Sequence, residues 1–157
     1  MKITRDWNVL IPTLQDTWIS NVAGPLDIAL TTGSDSLLIS YVSFLWPDFV
    51  EHDDMILMGD HSDGLDEAVR DWLQTSKGDK SAVESMLNHR HLIDIHDPTR
   101  TPLEIQLRFI GRTCIEMWRL KLASDFPNRK FEFFFNDEAG LELRQYQVGF
   151  CSERKQT

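Results

Sequence analysis

Cysteine is scarce in this chain. Cys114 and Cys151 are the two present, too few for a disulfide framework and without zinc-site spacing. Reduced thiols in the cytosol are the plain expectation. Bases are also short: 16 Lys and Arg against 25 Asp and Glu leave a net charge of -9 and a pI near 4.9. Such a surface repels phosphate, which argues against nucleic acid and anionic membrane as partners. No apolar run approaches the ~20 residues that a membrane span needs. The N-terminal MKITRDWNVL has no apolar core or cleavage site, so no secretory signal is expected and the location is read as cytoplasmic.

Catalytic and cofactor motifs are missing too. Gly33, Gly59 and Gly64 are scattered singles rather than a phosphate-cradling loop. Ser62 lacks the G-x-S-x-G context of a nucleophile elbow. Asp60-His61-Ser62-Asp63-Gly64 invites a calcium loop, but the ligand spacing fails. Cys114 falls on an apolar helical stripe and reads as core, and nothing identifies a base for Cys151. No cofactor is expected. The densest set of candidate ligands is His89-Arg90-His91 with Asp94, His96 and Asp97. On a strand His89 and His91 would share a face and could hold Zn²⁺ or Fe²⁺ with Asp94 or His96 brought in by a bend. A polar loop entering a helix collects the same residues, and that plainer reading is preferred.

What is present points to a single α+β domain over residues 1–157, with 1–34 an irregular segment packed on it. Five tryptophans and nine phenylalanines supply a large core. Apolar residues near Trp18 suggest one short helix over 13–20. Asp35 or Ser36 then caps the run Leu37 to Trp46, apolar on most sides and so expected to be a buried helix ending at Pro47. Phe49-Val50-Glu51 and Met55 to Met58 read as two short strands around an acidic turn. Leu65, Ala68, Val69, Trp72 and Leu73 form a helical stripe with Gly78 as its stop. Ser81 and Glu84 make a capping box for a further short helix.

The chain is organised around 101–150. Thr101, Pro102 and Glu104 compose a helix start, and Leu103, Leu107, Ile110, Cys114, Met117 and Trp118 repeat at helical spacing up to Asp125-Phe126-Pro127. Ile105, Phe109 and Leu120 form a lesser strip, so the helix is expected to touch protein on two sides. Phe131, Phe133 and Phe135 alternate as one strand of a hairpin. The return strand is expected from Leu141, with irregularity at Arg144-Gln145, where apolar parity switches. The expected fold is a small, mainly antiparallel sheet, two short strands plus this C-terminal hairpin, packed on one long helix and several shorter ones. Leu107, Ile110, Cys114 and Trp118 should face Met55, Leu57, Phe131 and Phe133.

Charge is uneven. Nine acids and one base, Arg70, lie between Asp48 and Asp71, so this segment carries -8 of the -9. Glu51, Asp53, Asp54, Asp60, Asp63, Asp66, Glu67 and Asp71 are the candidate partner-binding residues, either a solvated face or a dock for a basic protein. The segments Phe44-Leu45-Trp46-Pro47-Asp48-Phe49-Val50-Glu51 and Trp118 to Phe131 resemble small uncharacterised bacterial proteins, some similar to immunity proteins of polymorphic toxin systems. That resemblance covers about a third of the chain and implies a cytosolic α+β scaffold that neutralises a toxin by binding it, with no site residue transferred. The alternatives are a small metal-dependent or hydrolytic enzyme using His89, His91 and His96, and an adaptor protein. The sequence leaves the oligomeric state open.

Overall fold

The computed structural model describes residues 34–59, 64–95, 101–136, 138 and 142–153. The short helix expected over 13–20, together with Asp60, Asp63, His96 and Asp97, lies outside them. The architecture is mixed α+β, with an antiparallel two-stranded sheet and an antiparallel three-stranded sheet among the described residues. Helix α1 (Asp35–Leu45) starts at Ser34, whose Oγ accepts the Leu37 N–H, and ends ahead of Pro47. Its expected burial is overturned: no residue of α1 is buried, and it reaches the core through Phe44 and Leu45 at its last turn.

Strands β1 (Phe49–His52) and β2 (Met55–Met58) form a hairpin in which Phe49 pairs with Met58 and His52 with Met55. The two loop residues, Asp53 and Asp54, have φ of 49° and 66°. Tight hairpins demand positive φ there, and aspartate tolerates it better than most side chains. All four residues of β2 are buried, because the strand lies between two cores. Ile56 and Met58 join the core built on the long helix. Met55 and Leu57, placed there by the sequence, turn instead to the second core with Val69, Val83 and Leu87. Alternation along a strand makes the two pairs exclusive.

Helix α2 (Leu65–Thr75) lays Leu65, Ala68, Val69, Trp72 and Leu73 on that second core. Its stop is a Schellman motif: Lys77 N–H donates to Gln74 O and Gly78 N–H to Leu73 O. Helix α3 (Lys80–Leu87) is capped by Asp79, whose carboxylate accepts the Ser81 and Ala82 N–H groups. The expected Ser81–Glu84 box is therefore absent, and Glu84 does something else. It is fully buried, accepting the Ile56 N–H (2.7 Å), the Ser152 N–H (3.0 Å) and the Ser152 hydroxyl (2.7 Å). One turn later Asn88 accepts the Met58 N–H and donates to Ile56 O. The free edge of β2 is thus finished by two side chains of a helix rather than by a third strand.

The long helix, α4 (Glu104–Asp125), starts two residues later than expected. Leu103 is the cap position, and Gln106 reaches back to accept its N–H, so Gln106 takes the role assigned to Glu104. The buried stripe is Leu107, Gly111, Cys114, Trp118 and Leu122, with Leu103 left half-exposed. Gly111 is there because the Phe135 ring sits where a Cβ would be. Ile105 and Leu120 are exposed, so the expected second contact side is not formed by them.

Strand β3 (Arg90–His91), a 3-10 turn at Leu92–Ile95, β4 (Phe131–Phe135) and β5 (Gln147–Ser152) complete the chain, in sheet order β3-β5-β4. The return strand begins at Gln147, not Leu141. A 3-10 turn at Leu143–Gln145 precedes it, in the place where the apolar parity changes, and between Gln147 and Ser152 the register is unbroken. Phe150 is the hub of the first core, its ring 5.3 Å from Phe49, 5.9 Å from Phe131 and 6.3 Å from Trp118. Trp118 Nε1 donates to Phe44 O, tying α4 to the end of α1.

Replacing Glu84 by Leu keeps the volume but strands two buried N–H donors and a hydroxyl. Each orphaned group costs ~1–3 kcal/mol, so stability should fall by about 3–5 kcal/mol. Glu84→Gln, which retains one acceptor oxygen, should lose less. Urea denaturation of the three proteins checks both statements, and an unchanged midpoint for Glu84→Leu would contradict them.

Candidate partner-binding surface

The acidic residues of the β1–β2 hairpin are exposed, and their positive-φ loop projects them from the sheet. They are not free charges. The Arg129 guanidinium donates to Asp54 O (3.0 Å), to the Asp54 carboxylate (2.9 Å) and to the Glu51 carboxylate. Lys80 Nζ, at the start of α3, donates to Asp53 O (2.7 Å) and lies 3.1 Å from its carboxylate. At such exposure these pairs contribute little to stability, on the order of 0–1 kcal/mol each. Their effect is to fix where the carboxylates point.

On α2 the apolar stripe faces inward, which leaves Asp66, Glu67, Arg70 and Asp71 exposed. His52 Nδ1 approaches Asp66 Oδ1 at 3.6 Å. That contact joins the hairpin to α2, and of the eight expected partner-binding residues Glu51, Asp53, Asp54, Asp66, Glu67 and Asp71 are exposed on these two elements. Asp60 and Asp63 lie outside the described residues. Six carboxylates stand there against Arg70, Lys80 and Arg129. Lys80 and Arg129 come from 27 and 75 residues beyond the aspartates they meet, a discount on the charge that linear counting could not foresee.

His89 and His91 do come together, their rings 5.1 Å apart and near-perpendicular. Nδ1 of His89 faces Met86 O at 2.6 Å and Nδ1 of His91 faces Arg144 O at 2.8 Å. Carbonyl oxygens only accept, so each ring meets its carbonyl through a protonated Nδ1, and in a neutral imidazole of that tautomer the lone pair sits on Nε2. Asp94 does not complete the set: among the described residues no three His, Cys, Asp or Glu side chains are grouped to hold a metal. A cleft of about 260 Å³ is lined by Ser43, Phe44, Pro47, Asp48, Met58, Gly59 and Arg90.

Cys114 is fully buried on the core stripe, and desolvation pushes its thiol pKa up from 9.0 to about 12. It stays a neutral thiol, opposite to what a nucleophile needs. What the sequence reading missed is the exposure of α1. Its signal was available, since Ser36 to Pro47 holds no charged residue in a chain that is 26% charged. The same run also fits a buried helix.

No protein-family model, curated protein or solved structure matches the chain. The segments Phe44 to Glu51 and Trp118 to Phe131 are packing and turn elements, from the Phe44 and Trp118 contact to the Phe126 and Phe131 ring pair.

In the native protein a thiol reagent should modify Cys151, which is half-buried, and reach Cys114 only after unfolding. Cys114 should also make stability pH-dependent. Above about pH 9 the unfolded chain loses this proton and the folded one keeps it, so raising pH favours unfolding. The decline from this group is up to ~1.4 kcal/mol per pH unit until about pH 12. Urea midpoints at pH 8, 9.5 and 10.5 should fall more steeply for the parent than for Cys114→Ala; parallel slopes would refute the assignment.

Proposed function

We propose that the protein is a non-catalytic binding protein of the immunity type, acting in the cytosol and covering a basic protein with its acidic side. The observation that supports this reading is the set of exposed carboxylates on the β1–β2 hairpin and α2, two elements that the His52–Asp66 contact brings next to each other. Such a surface raises local potential and steers a basic partner during encounter. Arg129 and Lys80 hold three of the carboxylates in place before the partner arrives, which reduces the ordering cost of docking. Glu67 and Asp71 on α2 are the acids best placed to meet cations supplied from outside, because α2 presents them away from its packed stripe.

A small metal-dependent or hydrolytic enzyme is the second reading, favoured by the two Nε2 atoms of His89 and His91. It predicts about one equivalent of zinc or iron retained through purification without a histidine tag, and lost in His89→Ala/His91→Ala.

The binding reading predicts an electrostatically assisted association. Steering lifts rate constants from a neutral ~10⁵–10⁶ M⁻¹s⁻¹ towards ~10⁸ at low salt. Glu67→Gln/Asp71→Asn should slow association with the product of the adjacent gene, and the loss should shrink at high salt, where charges are screened within a few ångströms. The melting temperature should stay within a few degrees. Stopped-flow kinetics at two salt concentrations supplies the test, and an unchanged association rate in the double variant would leave this side as a solvated face.

A further inference from the structure

His89 directly precedes β3 and His91 ends it, a spacing that puts both side chains on one face of an extended chain. Pairing of β3 with β5 sets which face. Arg90 is opposite Val148, a residue of the first core, and His91 is opposite Gln147, so the histidines take the outer face of the three-stranded sheet. Arg90 turns the other way and donates to Leu87 O and His89 O. Both histidines are half-buried, and their rings lie 5.1 Å apart at 82°.

Each ring is held from behind. Met86 O, in the last turn of α3, faces Nδ1 of His89 at 2.6 Å, and Arg144 O, in the 3-10 turn before β5, faces Nδ1 of His91 at 2.8 Å. A carbonyl behind Nδ1 is the arrangement that orients metal-ligating histidines, because it fixes the tautomer and leaves Nε2 as the ligand. The ring separation agrees with this. With Zn–N bonds of ~2.0–2.1 Å at a tetrahedral angle, two imidazoles on one ion have centroids about 5 Å apart. Rotation about each metal–nitrogen bond leaves the angle between the ring planes free.

We infer that His89 and His91 form an open two-imidazole site for a divalent cation of the zinc type, bound through both Nε2 atoms, with water in the remaining positions. Imidazole selects zinc and its neighbours over Mg²⁺ and Ca²⁺, which take oxygen. Among the described residues no third His, Cys, Asp or Glu joins the pair, so the site has half the protein ligands of a structural zinc site. Binding is therefore exchangeable, with a Kd on the order of 10 µM. The site shares its histidines with the enzyme reading but involves no catalytic step, and it does not depend on the acidic surface.

Calorimetric titration of the full, untagged chain with Zn²⁺ tests this. One equivalent should bind, gel filtration in metal-free buffer should remove it, and Mg²⁺ should not replace it. His89→Asn and His91→Asn are the informative variants. The Asn amide can still donate to Met86 O or Arg144 O, but it puts no lone-pair nitrogen where Nε2 stood. Each should keep the parent's circular dichroism and melting temperature without zinc and lose at least ~10-fold in zinc affinity. Zinc should also shift the NMR ring signals of His89 and His91 in the parent and leave those of His52 in place, a readout that needs no variant to fold. Absence of binding at zinc concentrations far above that Kd overturns the inference and leaves the rings as a stacked pair. Affinity that both Asn variants retain overturns it too, by moving the ion elsewhere. An equivalent that survives gel filtration would do the same, because retention needs further protein ligands, and it would favour the enzyme reading instead.

Discussion

A carboxylate and an amide on one short helix hold the two sheets together. Glu84 accepts from Ile56 in one sheet and from Ser152 in the other, and Asn88 closes the remaining β2 edge groups at Ile56 and Met58. Backbone donors buried beside an apolar core must find partners, since each one left bare costs as much as several buried methylenes return. The β1–β2 hairpin is too short to have a stable edge of its own. Without Glu84 and Asn88 that edge would be an open template for other strands, a hazard that proteins cover or charge. Here it is covered from within.

That bridge also fixes how the cores are divided. With α3 locked against β2 through its edge, Met55 and Leu57 are committed to the α2–α3 side, and Ile56 and Met58 to the side of α4. Phe150 then collects rings from β1, β4 and α4, edge to face, an arrangement that contributes beyond area burial. The acidic and apolar surfaces are outgrowths of this frame. The acidic side exists because the hairpin loop points outward and α2 turns its stripe inward. The apolar side exists because α1 meets the core through its last turn and projects the rest.

The acidic and apolar surfaces differ in kind. A surface of the first kind acts through long-range charge, an effect largely lost in salt.

Local rules carried the sequence reading a long way. The positions of α1, α2 and α4, the Asp53-Asp54 turn and the break at Arg144-Gln145 all follow from periodicity, turn chemistry and parity, which involve residues a few positions apart. Caps were less legible, because Ser81 and Glu84 satisfy a local pattern while Glu84 has a stronger distant claim. What tertiary structure alone decided is which faces are covered. Glu84 reaches Ile56 across 28 residues and Ser152 across 68, and Arg129 reaches Glu51 across 78. An apolar run like α1 looks the same in sequence whether buried by its own chain or left exposed. A carboxylate likewise looks the same whether paired or bare. Burial and pairing are properties of the partner as much as of the residue, and the partner is chosen only when distant segments are brought together.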